Sequence, residues 1–198
     1  MVLLPGALMT PRHMVDAGVL IAVQSRNLAL DVTLPNLHAL ADDNQEALQV
    51  LETQLLAPAR ERYDAVWLGG ISRGGHLALS YLASGAGPVS GVCLLAPYPG
   101  SRITSNCIER AGGLSLWQPT PMQLRDPEFG LWNWLKQPVW PQQVFMGYGV
   151  DDRFADGMQR LASCMAGAQL HTAPGAHDWA AWLPLWGRFL DLHFDAAA

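Results

Sequence analysis

Six apolar runs punctuate the chain, and within each the hydrophobic positions are continuous rather than alternating. They are residues 1–6 (MVLLPG), 19–23 (VLIAV), 65–70 (AVWLGG), 89–97 (VSGVCLLAP), 142–149 (QQVFMGYG) and 168–175 (AQLHTAPG). A strand with water on one face alternates apolar and polar positions. An unbroken run belongs to a strand covered on both faces, as in a parallel sheet. Between the runs lie stretches of helical spacing. Residues 36–63 carry Leu48, Leu51 and Leu55 at i, i+3 and i+7 on an acidic helix, and residues 75–84, 156–166 and 178–194 continue the series. Alternating strand and helix predict an α/β fold, one domain over residues 1–198, with about six mostly parallel strands flanked by helices on both faces.

Residues 101–141 break this rhythm. They hold Gly112-Gly113, the prolines Pro119, Pro121, Pro127 and Pro138, and Trp117, Trp132, Trp134 and Trp140. The pattern predicts an irregular excursion at one end of the sheet, near any active site, with one short helix around PEFGLWNWLK. Either it frames a pocket or its tryptophans cover a sheet edge.

Composition narrows the class. The chain has 198 residues, half of them hydrophobic, and a formal charge of −5. Lys136 is the one lysine, and the arginines are scattered, so no basic surface for nucleic acid is expected. Three cysteines, Cys93, Cys107 and Cys164, cannot all pair and form no CxxC, which points to a reducing compartment without structural zinc. No apolar run reaches the ~18 residues that span a bilayer, and the start lacks a basic leader. The expectation is a soluble, cytoplasmic protein with no membrane partner.

The candidate chemistry centres on GISRG, a G-x-S-x-G pattern formed by Gly70, Ser72 and Gly74 between an apolar run and a helix. A serine at the tip of a tight strand-to-helix turn needs small residues two positions away on each side. That turn lifts its hydroxyl above the sheet edge, beside helix N–H groups able to receive an oxyanion. The competing reading is a plain glycine-rich turn or a phosphate loop, but neither G-x-G-x-x-G nor G-K-[ST] is present. A serine nucleophile needs a base and an orienting acid from other loops. The fifth run ends in GYGVDDRF and the sixth in TAPGAHDW, giving the order Ser, Asp, His.

With GISRGG, GYGVDDRF and GAHDW in these places, the chain resembles the α/β-hydrolase superfamily, specifically its small esterase-like members with little or no lid. That family commonly ends the strand before the acid in G-x-x-D, which maps to Gly149 and Asp152, with the neighbouring Asp151 as the alternative; its late G-x-H maps to His177. The resemblance implies hydrolysis of carboxylic esters or thioesters of small molecules through an acyl-enzyme. Ser72, Asp152 and His177 would be the triad, with no metal or organic cofactor. It also implies an oxyanion hole from the N–H groups of Ala7 (less securely Leu8) and Arg73, although Pro5 stands where the family usually has histidine. Many members open on an antiparallel hairpin that is missing here, so the first strand is expected inside the sheet with neighbours on both sides.

Other polar residues have plainer readings. Asp178 suits a helix N-cap, and His76, one turn behind Ser72, suits a structural role. His171 falls within a strand, and His13, His38 and His193 have no ligand company. Trp179, Trp182 and Trp186 form a core-facing stripe, with Trp179 also placed to border a pocket. The Arg73 side chain either reaches the pocket or pairs with a carboxylate, including one on the excursion. A non-catalytic binding protein and an acyltransferase on the same fold remain the alternative functions.

Overall fold

A computed structural model describes residues 1–37 and 44–196. Its centre is a five-stranded parallel sheet: β1 (Val2–Leu4), β2 (Trp67–Ile71), β3 (Gly91–Leu95), β4 (Gln143–Gly149) and β5 (Gln169–Ala173), in spatial order β1-β2-β3-β4-β5. Strands β1, β2 and β3 are buried at every position, as their continuous apolar runs require.

The run at 19–23 is not a strand. Helix α1 (Pro11–Asp16) follows β1, and residues 19–23 lie in α2 (Val19–Gln24). Val19 and Val23, four apart, are buried, whereas Ile21 between them is 65% exposed. That is a helical period, which five apolar letters cannot distinguish from a strand. The outer side of β1 is instead paired by the segment around Thr33: Leu3 N–H donates to Thr33 O and Thr33 N–H to Met1 O, each at 2.9 Å. The first strand is therefore the edge of the five-stranded sheet rather than an inner strand, and a single bridge at Thr33 ties down its outer side.

This placement sets the topology. From β1 the chain crosses outward to Thr33, then reverses over β1 to β2. With right-handed crossovers, the two connections cover opposite faces. One face carries α2 and the C-terminal helix α9 (Trp179–His193). Across the other runs a helical stretch of α3 (Asn44–Val50), a π-helical turn at Leu51–Leu56 and α4 (Ala57–Arg62), beside α5 (Arg73–Ser84). The reversal between β1 and β2 is a switch point, where the carboxyl ends of adjacent strands leave a crevice for a ligand.

The excursion contains more helix than its composition suggests: α6 (Arg102–Arg110), a 3-10 turn at Gln123–Arg125 and α7 (Pro127–Trp134). Helix α7 matches the expected short helix. Helix α6 was hidden by its few apolar residues, although its Ser101 N-cap, which accepts from Thr104 N–H, is visible in the sequence. Trp117 and Trp132 are buried, and α7 packs on α5. Helix α8 (Ala155–Ser163) follows β4.

Helix α9 is locked by aromatic contacts. Gly91 of β3 leaves the space that the Trp67 ring of β2 fills, and that ring meets Phe189 edge-on at 5.2 Å. Trp186 is fully buried, stacks on Phe189 at 5.4 Å and donates its Nε1–H to Val19 O at 3.0 Å. Trp186→Ala should therefore cost about 3–5 kcal/mol, since it leaves a large cavity and removes the hydrogen bond to Val19 O. Urea denaturation compared with the parent chain measures this.

Candidate active site

Ser72 sits between β2 and α5 with φ 51° and ψ −113°, a backbone conformation that side chains rarely adopt. Close packing imposes it. A Cβ on Gly70 would lie 2.2 Å from the Gly74 carbonyl, and one on Gly74 would lie 2.4 Å from Leu4 O and 2.6 Å from Pro5 O. These are backbone atoms that cannot swing aside, so both positions exclude every other residue. Ser72 N–H donates to Leu95 O at 2.9 Å, and its carbonyl accepts from His76 N–H at 3.0 Å and Tyr98 N–H at 2.9 Å. With its main chain held at both ends, the serine presents only its side chain.

The loops after β4 and β5 meet it. Gly149 lies against the backbone of Gly175 and Ala176, where a Cβ would come within 2.3 Å of Gly175 O. Asp151 N–H donates to that same carbonyl at 3.0 Å and Val150 N–H to Ala173 O at 2.9 Å. The structure brings Ser72, His177 and Asp152 into one chain of contacts: His177 Nε2 is 2.8 Å from Ser72 Oγ, and Nδ1 is 2.6 Å from Asp152 Oδ2. Asp152 is buried, and its Oδ1 accepts Phe154 N–H at 2.8 Å. A carboxylate facing Nδ1 accepts its proton, which leaves Nε2 with a lone pair toward the serine hydroxyl. The Asp151 side chain is exposed and stands outside this chain.

Next to the serine, along the first turn of α5, lies a cleft of about 430 Å³ lined by Pro5, Ala7, Leu8, Arg73, Tyr98 and Glu128 among others. Gly6 sits beside the serine, since a Cβ there would be 3.6 Å from Ser72 Cβ. The turn beyond it is closed by Met9 N–H on Gly6 O at 3.1 Å and holds Leu8 at φ 59°. Arg73 is the first residue of α5, where a helix has no internal acceptor for the N–H. Its side chain shares the cleft wall with Asp126 and Glu128 of the excursion.

The remaining polar residues fall to structural roles. Asp178 caps α9, its Oδ1 accepting Ala180 N–H at 3.0 Å. His171 stacks on Phe145. His193 Nδ1 is 2.7 Å from Gln143 Oε1, and His13 caps its own helix with Thr10. His38 lies outside the described residues. Trp182 and Trp186 are buried and Trp179 is half-buried. Two features escaped the sequence reading. Phe154 packs on His177, and Glu128 binds the α6 N-terminus through Ser101 N–H (2.7 Å) and Thr104 Oγ1 (2.8 Å). Burial opposes the Glu128 charge, but these hydrogen bonds outweigh it and hold its pKa below the usual carboxylate range. Among the described residues, no group of three or more His, Cys, Asp or Glu is arranged to hold a metal ion, and no helix is long and apolar enough to cross a membrane.

No family model and no curated protein sequence matches the chain. Solved structures do. The fluorophosphonate-binding serine hydrolase FphF of Staphylococcus aureus aligns at TM-score 0.66 and 13% identity, over 96% of this chain and 81% of that one. Est1E of Butyrivibrio proteoclasticus aligns at 0.65 and 14%, over 96% and 84%. An S-formylglutathione hydrolase of Agrobacterium tumefaciens aligns at 0.64 and 13%, over 97% and 82%. The likeness is one of architecture: the chain has the α/β-hydrolase fold.

His76 yields a test of this neighbourhood. It is buried with Nδ1 3.1 Å from Tyr98 O; burial lowers its pKa below 6.5, the hydrogen bond opposing. The unfolded chain thus binds this proton at higher pH than the folded one. The His76 contribution is fully present above about pH 6.5 and is lost as pH falls from there toward the lower folded pKa. His76→Gln should accordingly destabilise the protein more at pH 7.5 than at pH 5.5, as read from urea midpoints of both chains.

Proposed function

We propose that this chain is a serine hydrolase cleaving carboxylic esters or thioesters of small molecules through an acyl-enzyme. The observation that carries the reading is the unbroken sequence Asp152–His177–Ser72, with contacts of 2.6 and 2.8 Å. The structurally similar proteins, a serine hydrolase and an S-formylglutathione hydrolase among them, agree with it.

Each step follows from the site. Ser72 Oγ attacks the carbonyl carbon while its proton passes to His177 Nε2. Asp152, already bound to Nδ1, stabilises the imidazolium and fixes the ring's tautomer. The developing oxyanion is received by the N–H groups of Ala7, in the turn after β1, and Arg73, at the start of α5, where the helix dipole also favours negative charge. Collapse of the tetrahedral intermediate expels the alcohol or thiol, protonated by His177. Water then repeats the sequence on the acyl-serine and releases the acid. No metal or organic cofactor enters the scheme.

Ser72→Ala and His177→Ala should each lower kcat on an activated ester by roughly 10⁴- to 10⁶-fold, and Asp152→Asn by about 10⁴-fold. Asp151→Asn should stay within about threefold. A fluorophosphonate probe should label the parent protein and leave Ser72→Ala unmodified; equal labelling of both would overturn the reading. Matched oxygen- and thioester substrates rank the two leaving groups, and added alcohol acceptor separates hydrolysis from acyl transfer.

A further inference from the structure

The hydrogen bonds at Nδ1 and Nε2 fix the His177 ring along one line and leave rotation about that line to be restrained by packing. Once Ser72 is acylated, its O–H no longer supports Nε2, and the Asp152 contact alone remains. The structure supplies other restraint. Phe154 stands at 80° to the imidazole with centroids 5.1 Å apart, and Trp182 stands at 90°, also at 5.1 Å. The series continues outward: Phe154 meets Tyr98 edge-on at 5.4 Å, and Trp182 meets Trp179 at 5.4 Å. His177 is the middle ring of this aromatic arc.

Phe154 contacts Asp152 and His177 directly and reaches Ser72 through Tyr98. Its backbone N–H binds Asp152 Oδ1, its ring packs on His177, and the same ring packs on Tyr98, whose N–H holds the Ser72 carbonyl. The Arg153 guanidinium covers the Phe154 ring at 4.8 Å. Trp182 is 7% exposed, and its indole N–H has no hydrogen-bond acceptor among the described residues, so its contribution here comes from the ring's shape and packing.

Resting on the triad reading above, we infer that Phe154 and Trp182 are positioning residues: an aromatic clamp that holds the His177 imidazole in line between Asp152 and the reacting oxygen throughout the catalytic cycle. Displacing a reacting group by about 1 Å can cost on the order of 10²-fold in rate, so a clamp acting on ring orientation belongs to kcat rather than to substrate affinity.

Side chain and main chain are separable here, because Phe154→Leu and Phe154→Met remove the ring and keep the N–H that Asp152 accepts. Each should lower kcat about tenfold or more while KM moves less than about threefold. Phe154→Tyr and Trp182→Phe, which keep a ring, should remain within about threefold of the parent. In a His177→Ala background, where there is no imidazole to hold, Phe154→Leu should change the residual rate less than about twofold. Unchanged kcat in either ring-removing variant that folds, an equal loss in both backgrounds, or no recovery with tyrosine would overturn the clamp. Loss of the clamp effect alongside inactive Ser72→Ala would strike the clamp alone. Full activity in Ser72→Ala would strike the triad reading and the clamp with it.

Discussion

The first turn of α5 rests directly on the carbonyl end of β1, with Gly74 so close to Leu4 O and Pro5 O that no side chain fits between them. The rest of the site depends on this contact. Seating the helix so deep leaves the chain too little length to leave β2 smoothly. The deficit is absorbed at Ser72 as a positive φ, which is sterically unfavourable for any residue but glycine. The strain is offset by hydrogen bonds at both ends of the residue, so the side chain is held fixed without being buried. The same contact brings the turn after β1 beside the serine. One close approach thus serves both the proposed nucleophile and the proposed second oxyanion donor.

The opposite half of the site follows another logic. Asp152 and His177 lie on separate loops, joined by main-chain hydrogen bonds from Val150 and Asp151 to Ala173 and Gly175. These bonds continue the β4–β5 ladder past the sheet, so Asp152 and His177 approach Ser72 as a pair. A buried carboxylate is tolerated only when its oxygens are satisfied, and Asp152 meets this requirement with Phe154 N–H and His177 Nδ1. Folding satisfies that carboxylate only by closing the loops around it.

Where the sequence reading reached and where it failed have physical causes. The β2-to-α5 turn was legible because its glycines are required by backbone-to-backbone contacts, which no other residue satisfies. Asp152 and His177 were legible as candidates because parallel strands deliver their following loops to one sheet edge. The run at 19–23 was misread because Val19 and Val23 suit a helix period and a strand core equally; only the exposure of Ile21 separates them, and exposure is a tertiary property. Phe154 was passed over because its contacts are to rings more than twenty residues away in either direction, and no local pattern marks a phenylalanine that packs on a distant histidine.

The comparisons extend the same argument. At 12–16% identity to the similar structures, most side chains differ while the architecture is shared over nearly the whole chain. Cores tolerate extensive substitution when volume and pattern are kept, but a helix seated on a strand end without room for a Cβ does not. The cleft wall is under no such constraint. Its charges come from Arg73 on the helix and from Asp126 and Glu128 on an excursion that is anchored through α6 and α7. The fold therefore divides into a backbone-determined proposed reaction centre and a side-chain-determined cleft. On the proposed reading, a substrate preference of this chain would rest on the second part, whose side chains can change without unseating the first.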